Sequence, residues 1–129
     1  MTDPVSGVMR TDYLSLDIAM PIRQAAGLLH ANGQESAPVL GPTGELVGIL
    51  TQKDCFRPAM QASYYRQWRG VVGEQMSTRV KTIEAERDIV AAAEMFVAQP
   101  HRSFPVLRAG QLVGMLRRED VLGRLRELG

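Results

Sequence analysis

Apolar residues recur along the chain in two periods. Ile22, Ala25, Ala26 and Leu29 fall at i, i+3, i+4 and i+7, and Ile89, Ala92, Ala93 and Phe96 repeat that spacing. Each set predicts a helix with one apolar face. Shorter apolar runs predict strands around these helices. Residues 13–16 precede the first helix, and residues 37–40 and 46–50 follow it. Residues 80–83, 104–107 and 112–116 do the same for the second. Val121, Leu122, Leu125 and Leu128 line a closing helix. Pro21 suits a first helical turn and Gly33 a helix end, while Asp88 favours the positive end of the second helix dipole.

The order of elements is written twice. LVGILTQKD (46–54) returns as LVGMLRRED (112–120). Pro38 pairs with Pro105 at an offset of 67 (105 − 38), and Gly48 with Gly114 at 66 (114 − 48). The missing residue falls between the turns GPTG and RAG, where deletions are tolerated. Met9 with Met76, Ser15 with Thr82, Ile22 with Ile89 and Leu29 with Phe96 keep the register upstream. The prediction is an α+β fold of two β-α-β-β-α repeats, residues 8–62 and 75–129, joined through a connecting helix or linker at 63–74. A repeat of about 55 to 60 residues buries little surface alone. Two copies are expected to pack around a pseudo-two-fold axis.

Composition adds constraints. Fifteen Lys and Arg against fourteen Asp and Glu leave a net charge of +1, too little for a field that attracts nucleic acid or an anionic membrane. The short basic stretches 64–69 and Arg117-Arg118 read as solvated helix faces ahead of nucleic-acid contacts. Cys55 is the single cysteine, so no disulfide forms within the chain, as suits a reducing compartment. The opening MTDPVSGVMR lacks the apolar core of a signal peptide, and apolar runs such as 89–93 fall far short of the ~20 residues of a membrane span. A soluble cytoplasmic protein is expected.

The chemistry on offer lies in the doubled phrase. Thr51 followed by Asp54 has the spacing of a reciprocal helix cap, although Glu or Gln is the usual third residue. Arg117 is a poor cap, yet Asp120 remains three places on. The same geometry suits a nucleotide. Free N–H groups and Thr51 would meet a phosphate, and Asp54 would accept from a ribose diol. Gly48 admits either a ligand or another backbone. These residues alone favour the cap.

The whole pattern, a PV strand, a turn, G-x-LVG-x-L and T-x-x-D in duplicate, resembles a tandem pair of cystathionine-β-synthase-type (CBS) domains, a Bateman module, over residues 8 to 128. The resemblance implies an adenosine-nucleotide site, for AMP, ADP or ATP, in a cleft between the repeats. In the first copy it assigns phosphate to Thr51, ribose to Asp54 and the base to Ser15, Leu16, Ala37 and Pro38. In the second it assigns ribose to Asp120 and the base to Thr82, Ile83, Phe104 and Pro105. Arg117 departs from the family's hydroxyl residue, and either pairs with a more highly charged phosphate tail or closes the site by bulk. Phe104 either narrows that cleft or stacks on adenine. Such modules pair into a four-repeat disc, so a homodimer acting on an effector protein is implied.

Other residues carry less. His30 and His101 lack second ligands at metal spacing, and phosphate contact by His101 and Arg102, just before a predicted strand, is the minor alternative. Cys55 has no activating partner and reads as an inert buried thiol. Met60, Tyr64, Tyr65 and Trp68 read as core or as a bridge between copies, and alternatively as a dimer surface. Pro58 is expected to kink or restart its helix. No catalytic or metal-binding motif stands out and no obligatory cofactor is implied. The expected protein is a stand-alone regulatory module that senses an adenine nucleotide by shape change, not an enzyme. The alternative is a nucleotide-free dimerisation or interaction module.

Overall fold

The computed structural model describes residues 3–129, which divide into two compact units. Unit I is Leu14–Val80, and unit II joins Lys81–Gly129 to the segment that ends at Tyr13. The units are therefore out of phase with the sequence repeats.

In unit I the chain forms β1 (Leu16–Asp17), α1 (Ile22–Ala31), β2 (Ser36–Leu40), β3 (Leu46–Thr51), a 3₁₀ turn (Lys53–Cys55), α2 (Phe56–Tyr65) and the short α3 (Val72–Gln75). The sheet order is β1-β2-β3, with β1 parallel and β3 antiparallel to β2. The predicted stripe of α1 holds: Ile22, Ala25 and Leu29 are fully buried against Leu16, Ala37, Val39, Leu50 and Val72. Each large aliphatic side chain so buried contributes about 1.5–3 kcal/mol. Gly33, at φ +62, ends α1 as expected. Its N–H donates to His30 O (3.1 Å) and that of Gln34 to Leu29 O (2.9 Å), which satisfies the last carbonyls.

Unit II repeats the design with β4 (Ile83–Glu84), α4 (Ile89–Ala98), β5 (Ser103–Arg108), β6 (Gln111–Arg117) and α5 (Arg118–Leu128). Its core gathers Val5, Ile83, Ala92, Phe104, Val106, Leu116 and Val121. Asp88 caps α4 as the charge pattern predicts, accepting from Val90 N–H at 2.8 Å.

The phase shift has a visible cause. Arg10 N–H donates to Met115 O (2.8 Å) and Met115 N–H to Arg10 O (2.9 Å), so a segment of the first copy brackets a strand of the second. Ser77 and Ile49 exchange the same two bonds at 2.9 Å each, and the second copy returns the arrangement. Gly48 and Gly114 make room for these brackets. A Cβ on Gly48 would stand 2.8 Å from Ser77 O, and one on Gly114 3.0 Å from Arg10 O. The choice that Gly48 leaves open in the sequence is settled toward a backbone.

Three local expectations need correction. The first strand of each repeat begins at Leu16 and Ile83, later than 13 and 80, because only there does pairing to Val39 and Val106 start. Pro58 does not break α2. It occupies the first turn, where its missing N–H has no helical partner to lose. Met60 (69% exposed), Tyr64 (84%) and Tyr65 (70%) are not core, whereas Trp68 packs against it. The one-residue deletion does fall in a turn, as expected, and leaves Ala109 (φ 50) and Gly110 (φ 78) as a two-residue hairpin turn between β5 and β6. Among the described residues no helix is long and apolar enough to cross a membrane.

Candidate functional site

Strand pairing spreads the predicted residues along each sheet. In unit I the start of β2 lies beside the finish of β3, whereas Leu16 at the start of β1 pairs farther along β2, with Val39. Ala37 and Pro38 lie between these two pairings, and the turn carrying Asp54 follows Thr51 directly. Ser36 pairs with Thr51 across the ladder, and the sequence reading missed it. Unit II distributes Thr82, Ile83, Phe104, Pro105 and Arg117 in the same way, with Ser103 opposite Arg117.

In unit I the capping geometry is realised. Thr51 N–H donates to Asp54 Oδ2 (2.9 Å), and Asp54 N–H donates to Thr51 Oγ1 (3.2 Å). The reciprocal pair organises a 3₁₀ turn before α2 begins. One carboxylate offers about four lone-pair positions, so this cap consumes a fraction of what Asp54 can accept. Cys55 follows in the core, where burial first and the Asp54 charge second push its thiol pKa up, in keeping with an inert role.

Unit II departs from that arrangement. Arg117 stands at the N-cap of α5 without a side-chain cap bond, and its Nη1 lies 3.9 Å from Glu119 Oε1. Asp120 is engaged by an arginine that the sequence reading did not single out. Arg10 donates from Nε to Oδ2 (2.8 Å) and from Nη2 to Oδ1 (3.1 Å), a bidentate ion pair across 110 residues. The matching place in unit I, at the same offset of 67 (77 − 10), is Ser77, whose Oγ accepts from Arg79 N–H at 3.3 Å.

The apolar residues assigned to the base are inside the units. Leu16, Ala37, Ile83 and Phe104 belong to the cores. The Phe104 ring packs on Phe96 at 4.5 Å and stacks on His101 at 5.2 Å, so it serves its own core. His101 Nδ1 is buried without a hydrogen-bond partner among the described residues. His30 lies exposed on α1. No cluster of His, Cys, Asp or Glu among the described residues could hold a metal ion.

The CBS domain family model matches residues 5–59 and 70–127. No curated protein sequence matches the chain. Among solved structures, the CBS-pair protein CBSX2 from Arabidopsis thaliana is 22% identical with a TM-score of 0.85, covering 99% of this chain and 97% of its own. CBSX2 in complex with AMP is similar at 22% identity and a TM-score of 0.83 over 97% of both chains. The CBS domain pair of MJ0100, solved with 5′-methylthioadenosine and S-adenosyl-L-methionine, is 19% identical with a TM-score of 0.81 over 100% of both chains. A putative acetoin utilization protein from Vibrio cholerae reaches 0.85 at 20% identity, over 99% of this chain and 93% of its own. The two three-stranded sheets with their helices share the fold of these pairs.

Proposed function

We propose, from the premise that the chain belongs to the CBS domain family, that it is a regulatory module whose ligand is an adenosine compound. The observation that carries this reading is the corner of unit I where Thr51 and Asp54 meet the sheet end. There the hydroxyl of Thr51 faces the phosphate position, and Asp54 accepts from the ribose diol while keeping its cap. Ser15, Leu16, Ala37 and Pro38 bound the base through their edge of the sheet. In unit II, Asp120 takes the ribose, Arg117 the phosphates, and the sheet edge at Thr82, Ile83 and Pro105 bounds the base, with Phe104 in the core behind it. Two relatives of the same fold, one solved with AMP and one with 5′-methylthioadenosine and S-adenosyl-L-methionine, support the ligand class.

Signalling on this reading requires different affinity for two shapes of the protein. We place self-association on α2, where Phe56, Met60 and Tyr64 are exposed at helical spacing, and read the module as a cytoplasmic homodimer acting on an effector protein. No reaction is assigned to it. A second reading, a nucleotide-free structural module, is favoured by one observation: both aspartates already have partners within the protein.

A thermal-shift series with AMP, ADP, ATP and S-adenosylmethionine separates the two. At about a hundred times its Kd a ligand adds roughly 2.7 kcal/mol, a shift of several degrees. Asp54→Asn keeps an acceptor for the cap and loses part of the ribose site, so it should weaken the shift without unfolding the protein. No shift with any of the four compounds would establish the structural module instead.

A further inference from the structure

Comparison of the two candidate corners, residue for residue, reveals a paired exchange. Where unit I has Thr51 at the end of its third strand and Ser77 on the bracket beside it, unit II has Arg117 and Arg10. Two uncharged hydroxyls at one site answer to two guanidinium groups at the other. One of these, Arg10, holds both oxygens of Asp120, the carboxylate proposed for ribose. Its backbone is fixed by two hydrogen bonds to Met115, so the pair is built into the fold. The side chains are 44% and 23% exposed, which leaves the pair open to exchange.

We propose that Arg10 biases the ligand selectivity of the unit II site, favouring adenosine compounds with an anionic phosphate tail over those without one. The inference rests on the ligand-binding reading above. A ribose diol reaching Asp120 must displace Arg10. A ligand with phosphates gives the released guanidinium a new charge-assisted partner, so the exchange is nearly balanced. A ligand whose tail is uncharged gives it none, and pays the full loss of the pair; a sulfonium tail also meets two like charges. At unit I the same ligands face Ser77 and Thr51 and incur no such loss. Arg117 would share the phosphates, with Glu119 beside it limiting how much negative charge is welcome. The two sites therefore differ in the charge of what they take.

The test is calorimetric titration of the full chain with ATP and with 5′-methylthioadenosine, comparing wild type with Arg10→Ser, which installs the unit I residue. Asp120→Ala identifies which binding step belongs to unit II. An exposed ion pair is worth up to about fivefold in an equilibrium constant. In Arg10→Ser, methylthioadenosine should bind unit II about fivefold more tightly. ATP should bind it with little change, because the charge-assisted contact it loses and the ion pair it no longer breaks nearly offset each other. Arg10→Lys, which keeps charge without the fork, should fall between. Constants at unit I should not move. Equal changes for both ligands, or none at unit II while unit I still binds, would overturn the role of Arg10. Absence of binding at both sites in the wild type would overturn the ligand-binding reading itself, and this inference with it.

Discussion

Gly48→Ala is a direct probe of the bracket that organises each unit. An ideal Cβ at this position would lie 2.5 Å from Met76 Sδ, 3.0 Å from Met76 Cγ and 2.8 Å from Ser77 O. The methionine can turn away at little cost because its side chain is flexible. The carbonyl cannot, since Ser77 O accepts from Ile49 N–H at 2.9 Å and Ser77 N–H donates to Ile49 O at 2.9 Å. Retreat of the bracket weakens both bonds, each worth about 1 kcal/mol net. Holding it in place leaves overpacking of about 1–3 kcal/mol. Either route predicts a loss of about 2–3 kcal/mol, or roughly 6–12 °C in Tm for a chain of this length. Gly114→Ala should cost less, because its nearest backbone atom, Arg10 O, is at 3.0 Å. Gly27→Ala is the control: it lies inside α1 with nothing within 4 Å, and should gain up to about 1 kcal/mol from helix propensity. Urea unfolding followed by far-UV circular dichroism gives the three values. A Gly48→Ala protein within about 0.5 kcal/mol of wild type would refute the argument, because surface substitutions without a role give that much.

Two further perturbations test local chemistry. Ala109 holds φ 50 in the two-residue hairpin turn, a conformation that costs a side chain about 1 kcal/mol and that asparagine tolerates, so Ala109→Asn should raise the urea midpoint; a fall would refute the turn assignment. Asp88 accepts from the N–H groups of Val90 and Asp3, which lower its pKa below the usual 3.8. A lowered carboxylate stabilises fully above its unfolded pKa and loses that contribution as pH falls through the folded value. The stability gap between wild type and Asp88→Ala should therefore be full at about pH 6 and narrow below about pH 3.8, measured by urea midpoints across that range.

Local physics was readable from the chain. The spacing of Ile22, Ala25 and Leu29 announces a buried helix face because that face depends on period alone. Thr51 and Asp54 announce their cap because both partners lie within one turn. The Arg10–Asp120 pair is different in kind: the two residues are 110 positions apart, and nothing in either neighbourhood selects the other. The exposure of Met60 and Tyr64 was also hidden, since an apolar side chain at helical spacing looks alike whether it faces its own core or solvent. Phe104 illustrates the same limit at the site. Its ring could be placed near a base from the repeat, yet its neighbours Phe96 and His101 are what direct it inward.

The bracket has a consequence for the order in which the protein is made. The strands, core and Met76–Ser77 bracket of unit I lie in one stretch of chain, complete once Val80 has been synthesised. Met9 and Arg10 leave the ribosome earlier than any of these, yet Met115 on β6, the partner of Arg10, follows only after the whole of unit I. During translation they wait while a whole unit forms behind them. Until then β3, whose sequence resembles that of β6, offers the waiting segment similar backbone groups, which Ser77 occupies in the native pairing. At Arg10 a guanidinium stands where the other bracket has a serine hydroxyl, and its ion pair with Asp120 is available only in unit II.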